Sequence, residues 1–121
     1  AVSIQDIAAS REEQQYVFVH PVLEQVIARI GKETRAHPAF RLGTSPRAGL
    51  HLLHIARTFA LVNGRNWVED DDIRTLAPLV LSHRCLIKTG AGAASELING
   101  ITETVIRIAD KRTDWMRPAE A

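Results

Sequence analysis

Between Ser45-Pro46 and Asn63-Gly64 the chain carries Leu52, Leu53, Ile55, Ala56, Phe59, Ala60 and Val62. At about 100° per residue these apolar side chains occupy most of the circumference of one helix. A helix that is apolar on so many sides needs neighbours on several of them, so the segment predicts a helical bundle with this helix at its centre. Its ends are marked chemically. Ser45 is a good N-cap, Pro46 is pre-set for the first helical position, and Asn63-Gly64 is a common way to stop a helix.

The rest of the chain supplies the partners. Ser3 with Asp6 resembles a capping arrangement, and Ile4, Ile7, Ala8 and Arg11 follow helical spacing up to the polar run 11–15, which predicts a first amphipathic helix. Tyr16 to His20 is β-branched and aromatic enough for a short extended piece. Pro21 then opens a helix whose Leu23, Val26, Ile27 and Ile30 form one stripe, ending near Arg35. Residues 37–45 read as a loop, because Pro38 biases its predecessor away from helix. The acidic run Glu69 to Asp72 suits a helix start, with Ile73, Leu76, Ala77 and Val80 continuing the period and Pro78 expected to kink or split that helix. Residues 88–94 read as a small-residue linker. After it, Ser95 is expected to cap a last helix carrying Leu97, Ile98, Ile101, Val105 and Ile108, slightly weakened by Gly100; the tail from Thr113 to Ala121 is expected to be loosely ordered. The fold class is therefore all-α, a bundle of five or six helices with room for one short extended pair.

Size and charge narrow the function classes. A chain of 121 residues with 45% hydrophobic residues is one ordinary domain, and a formal charge of +1 lacks the excess of a general nucleic-acid binder. The aromatic residues Tyr16, Phe18, Phe40, Phe59, Trp67 and Trp115 are scattered, which also argues against nucleic acid. The single cysteine, Cys85, excludes an internal disulfide and any multi-thiolate zinc site, and reads as a small buried hydrophobe. No apolar run approaches the roughly 18 residues of a membrane span, so a soluble, cytoplasmic protein is expected. The first residue is Ala1, not methionine, which fits a piece cut from a longer polypeptide.

Residues 43–48, Gly-Thr-Ser-Pro-Arg-Ala, carry the leading functional candidate. They deliver Arg47 to a helix mouth, where unsatisfied N–H groups and about half a positive charge already favour an anion. A guanidinium there adds a planar, permanently charged fork suited to phosphate oxygens. The plain alternative is an ordinary helix start with Arg47 solvated or paired to a nearby acid. Arg47, His51, His54 and Thr58 share one narrow face. His51 and His54 lie one turn apart but lack a neighbouring carboxylate or thiolate, a weak case for a metal-binding regulator. His20 and His37 precede prolines and read as turn or packing residues, while His83-Arg84 complements the dipole at a helix end. Asp70, Asp71 and Asp72 are adjacent on a helix and cannot all converge on Mg²⁺. No GxxxxGK[ST] loop, HExxH, nucleophile elbow or Cys-x-x-Cys pair is present, so the chain is not expected to be an enzyme by itself.

Three stretches, ETRAHPAFRLGTSPRAGLHLL at 33–53, ARTFALVNGRNWVEDDDI at 56–73 and LAPLVLSHRCLI at 76–87, resemble the C-terminal lid subdomain of the MoxR family of AAA+ ATPases. The family shows a TR-x-HP turn, a GaSPRA motif, a GRdyV turn before an acidic helix and a vLrHR segment, in this order. The resemblance weakens beyond about residue 90, which divides the chain into a lid bundle, 1–90, and a C-terminal extension helix and tail, 91–121.

The resemblance implies that Arg47 is the sensor-2 arginine, reaching the γ-phosphate of ATP held with Mg²⁺ on a large subdomain. Pro46 and Ala48 would shape the backbone near the nucleotide. Arg35, Arg65 and Arg84 match positively charged family positions, where subunit-interface pairing and internal salt bridges are both open. The implied partners are the AAA+ large subdomain of the same parent chain, further copies in a ring, usually a hexamer, and a protein with a von Willebrand factor A domain, within a chaperone-like remodelling role. The chain departs from the family at Glu69-Asp70, where Thr or Ser with Pro is usual, and Asp70 is expected to take over the cap. A reading from a different class is a free-standing helical module that binds protein or DNA without nucleotide chemistry.

Overall fold

The computed structural model describes residues 17–109. Four α-helices form a closed ring: α1 (Pro21–Ala36), α2 (Pro46–Val62), α3 (Asp70–Leu81) and α4 (Ala94–Ala109). Each packs on the next, and α4 closes the ring against α1. The helix expected within residues 3–15 and the tail expected from residue 113 lie outside the described residues.

Helix α1 starts as the sequence suggests. His20 is its N-cap, with Nδ1 accepting from the Val22 N–H at 3.1 Å, Pro21 sits in the first turn, and Leu23, Val26, Ile27 and Ile30 are all buried. His37 plays the matching role beyond its end, with Nδ1 accepting from the Ala39 N–H at 3.0 Å and its ring edge-on to Phe40. Before α1, Phe18 makes a parallel bridge to Trp67, donating its N–H to the Asn66 carbonyl at 2.7 Å and accepting from the Val68 N–H at 2.9 Å. Of the extended piece expected at 16–20, Tyr16 lies outside the described residues, and Phe18 ties the rest to the α2–α3 turn.

Two expectations for the strands and the central helix change. The loop expected at 37–45 contains a strand, β1 (Phe40–Leu42), antiparallel to β2 (Leu86–Ile87), with Phe40 opposite Ile87 and Leu42 opposite Leu86. That pairing is fixed by a partner more than forty residues away, which no local pattern announces. Helix α2 lines one wall of the bundle rather than its centre. Its buried residues are Ala48, Leu52, Ala56 and Ala60, one narrow stripe, whereas Leu50 is 69% and Val62 76% exposed. Among the described residues α1 and α3 are its main neighbours, and Leu53, Ile55, Phe59 and Leu61 lie half-buried at the edges of that contact, so Leu50 and Val62 are what it leaves open.

The helix ends bear out the expected stop at Asn63-Gly64 and correct other expectations for α3 and α4. Helix α2 stops in a Schellman arrangement: Gly64 has φ +76°, its N–H donates to the Leu61 carbonyl at 3.0 Å, and the Arg65 N–H reaches the Ala60 carbonyl at 2.9 Å. Helix α3 is capped by Glu69, not Asp70, and Asp72 returns the favour by accepting from the Glu69 N–H through Oδ2 at 2.8 Å. The helix runs as one segment through Pro78, because that residue stands close enough to the end to forfeit little of the ladder. Helix α4 begins at Ala94, so Ser95 is already inside it and exposed. Below a 3₁₀ turn at Ser82–Arg84, Cys85 is half-buried, with burial pushing its thiol pKa up. Among the described residues no helix is long and apolar enough to cross a membrane.

Candidate functional site

The mouth of α2 is assembled from Ser45, Pro46 and Arg47. Ser45, in extended backbone, accepts from the Ala48 N–H through both its carbonyl at 3.0 Å and its Oγ at 3.3 Å, and Pro46 occupies the first turn. That first turn contains no acidic residue, so nothing on α2 itself offsets the positive end of its dipole. Arg47 is exposed, and no hydrogen bond or ion pair engages its side chain among the described residues. Pro46 is exposed beside it, whereas Ala48 is 1% exposed and belongs to the core. From there Ala48 can set backbone shape but presents no side chain outward.

A bracket behind the mouth holds the loop that carries Arg47. Thr34 and Thr44 are 0% and 1% exposed, and they meet where the last turn of α1 touches the loop. Thr34 Oγ1 donates to the Gly31 carbonyl at 2.7 Å and accepts from the Thr44 N–H at 3.0 Å. The two hydroxyl oxygens lie 3.2 Å apart. A threonine hydroxyl has one proton, and that of Thr34 is committed to a carbonyl, so Thr44 must donate in this second contact. Arg35 reaches the Thr44 carbonyl through Nη1 at 2.5 Å. Gly43 lies so close to α1 that a Cβ there would stand 2.6 Å from the Arg35 backbone and 2.7 Å from the Thr34 carbonyl carbon. Beside the mouth, a groove of about 610 Å³ opens between α1 and α2, lined by Ile27, Pro46, Leu50 and Leu53 among others.

The other arginines singled out by the sequence differ. Arg65 is fully engaged within the chain: Nη2 donates to Asp72 Oδ1 at 2.6 Å, and Nη1 donates to Asp72 Oδ2 at 2.8 Å and to the Trp67 carbonyl at 3.0 Å. The bond to Asp72 raises the Arg65 pKa against the opposing effect of burial. Arg65 is therefore an internal salt bridge. Arg35 serves the loop bracket, and Arg84 stands exposed on the 3₁₀ turn.

Other polar groups on the surface serve structure. Arg74, which the sequence did not single out, ties Asp70 at 2.6 Å and Asp71 at 2.8 Å on its own helix to Glu103 of α4 at 3.1 Å. Burial works against its charge, but hydrogen bonds and charge from Asp71, Asp70 and Glu103 outweigh burial and raise its pKa. Asp70, Asp71 and Asp72 are thus spent on arginines of this chain, while Glu69 accepts from the Trp67 indole N–H at 3.0 Å. His51 and His54 are exposed on the Arg47 face, and among the described residues no three metal-ligating side chains converge.

Sequence reasoning missed the Thr34–Thr44 bracket. The only local hint was Thr34-Arg35 preceding the His-Pro turn, and a buried pair of hydroxyls leaves no periodic mark.

Comparison with known proteins matches residues 32–101 to the family described as the AAA lid domain. The chain is 34% identical over 116 residues to the chaperone MoxR1 of Mycobacterium tuberculosis, covering 84% of this chain and 29% of that protein. It is 35% identical over 86 residues to YeaC of Bacillus subtilis (71% and 27%), and 35% identical over 68 residues to MoxR of Methylorubrum extorquens (52% and 20%). The chain thus spans less than a third of the length of these relatives. The crystal structure of a candidate ATPase from Cytophaga hutchinsonii superposes with a TM-score of 0.71 at 26% identity, covering 85% of this chain and 34% of that one.

Proposed function

The chain belongs to the AAA lid domain family, in its MoxR-type branch, and from that premise we propose that Arg47 is its sensor-2 residue, contacting the γ-phosphate of ATP held by a separate P-loop subdomain. The observation that carries this reading is the open guanidinium at an acid-free helix mouth. Its donor set fits a phosphate: a permanently charged fork and a helix dipole of the same sign, with no carboxylate in the first turn to compete. Among the described residues there is no corresponding fit to Mg²⁺, since Asp72 is committed to Arg65 and Asp70 and Asp71 to Arg74. Mg²⁺ therefore belongs to the P-loop subdomain in this account.

Bound there, ATP supplies a phosphoryl group whose charge shifts to peripheral oxygens as it transfers. Arg47 meets that charge with a charge-assisted, bidentate-capable contact, strongest when the charge has developed. Pro46 and Ala48 fix the backbone that presents it. Because Arg47 is mounted on a helix packed between α1 and α3, a change in the phosphate contact becomes a change in the angle of the whole bundle. The groove beside Pro46 and Leu50 gives the large subdomain an apolar surface to close upon.

In the parent protein the lid would couple ATP turnover to remodelling or activation of a partner, one of the von Willebrand factor A type, within a cytoplasmic homo-oligomeric ring, a hexamer. The first 90 residues would be the lid proper, and residues 91–121 an extension whose helix completes the ring of four. The experiment is Arg47→Ala in the parent protein, with steady-state ATP turnover and nucleotide affinity as readouts. A loss in turnover of about tenfold or more supports the role, and unchanged turnover and affinity contradict it.

A further inference from the structure

We propose that Thr34 is a positioning residue for Arg47, acting through Thr44 as a buried hydroxyl bracket that clamps the 43–48 loop to the last turn of α1. The inference rests on the sensor reading of Arg47 and adds to it the device that aims the side chain.

The bracket is complete in hydrogen-bond terms. Thr34 Oγ1 uses its one proton on the Gly31 carbonyl at 2.7 Å and its lone pairs on the Thr44 N–H at 3.0 Å and the Thr44 hydroxyl at 3.2 Å. No water is needed, because both side chains are essentially inaccessible. Arg35 holds the Thr44 carbonyl from the outer side, so the peptide unit on either side of Thr44 is fixed. Gly43 permits the approach by lacking a Cβ. Between Thr44 and Arg47 stand only Ser45, whose backbone is fixed by capping, and Pro46, whose φ is fixed by its ring. The path from Thr34 to the Arg47 Cα therefore contains little rotational freedom. A long side chain like arginine keeps its own rotamers, so aiming it means fixing its base, and the bracket does that.

The bracket also links two helices. Thr34 lies on α1 and Arg47 on α2, so a relative slide of these helices would be felt at the guanidinium, which a lid that reports nucleotide state requires.

The test uses Thr34→Val, which keeps the volume and removes the hydroxyl, and Thr34→Ser, which keeps the hydroxyl. Each is made with Arg47 present and with Arg47→Ala, in the parent protein. Amide hydrogen exchange across 43–48 and ATP turnover are both read. Thr34→Val is expected to speed exchange of the Thr44 amide about tenfold or more, and to lower kcat about tenfold with a smaller change in KM, while Thr34→Ser restores most of both. In the Arg47→Ala background Thr34→Val is expected to cause no further loss of turnover, since there is no guanidinium left to aim.

Equal losses in the two backgrounds would reduce Thr34 to a support of the fold and overturn the proposal, as would unchanged exchange at 43–48. If Arg47→Ala leaves turnover intact, the sensor reading itself falls, and the exchange rates still decide whether Thr34 holds the loop. Should Thr34→Val not fold, Arg35→Gln removes the outer bond to the Thr44 carbonyl, and the same pattern of exchange and non-additive turnover is required of it.

Discussion

Two helices of this chain begin beside an arginine, and the two arginines are treated in opposite ways. At the mouth of α3, Arg65 is 19% exposed and is gripped by both oxygens of Asp72, itself 2% exposed, while Asp72 also caps the helix by accepting from the Glu69 N–H. At the mouth of α2, Arg47 stands in solvent with no acid in the first turn. Among the described residues, cation and helix dipole are compensated at one mouth and left uncompensated at the other. The difference separates an arginine that serves the fold from one that is available to something outside it.

Breaking the compensated mouth should have the largest effect on stability. Asp72→Ala leaves a largely buried guanidinium without its anion and removes half the capping box, so chemical denaturation should show a loss of about 3 kcal/mol. Gly43→Ala comes next. It forces a methyl group to within 2.6 Å of the α1 backbone, which has no flexible end to give way, and should lose about 2 kcal/mol. A substantially smaller loss would mean that the loop leading to Arg47 is less tightly seated than the Thr34–Thr44 contacts imply. Glu103→Gln weakens a half-exposed contact between α3 and α4, and should cost only about 0.5 kcal/mol, measurably less in high salt.

The smallest effect concerns pH. Burial raises the folded-state pKa of Cys85 above the ordinary 9.0, so the folded chain holds that proton more tightly than the unfolded chain. The contribution is complete below pH 9 and is lost as pH rises through the folded value. Arg65 and Arg74, both held above the ordinary arginine range by their carboxylate partners, stay charged throughout that window. Cys85→Ala should therefore flatten the alkaline decline in stability without altering either helix mouth. A decline of unchanged slope in that variant would assign it to another group.

The contrast between the mouths was partly legible in the sequence. Ser45-Pro46 and the apolar stripe of α1 announced themselves, because caps and 3.6-residue periodicity are local signals. The acidic start of α3 was legible as a start, but not its division of labour. Glu69 caps and Asp72 pairs with Arg65 because the Schellman turn at Gly64 folds Arg65 back over the new helix. Leu50 and Val62 show the limit in the other direction: apolar spacing said that α2 wanted neighbours, but not that neighbours within this chain would leave those two exposed. The sequence left room for one short extended pair, but which residues form β1–β2, like the threonine bracket, depends on a proximity that only the finished fold creates.

The central claim is that the open arginine is kept for a phosphate while the closed one is kept for the fold. Arg47→Ala, measured in the parent protein for both thermal stability and ATP turnover, tests it most directly. The account predicts a stability change within about 0.5 kcal/mol together with a loss in turnover of about tenfold or more. Normal turnover with normal nucleotide affinity, or a turnover loss that merely follows a loss of stability, would contradict it.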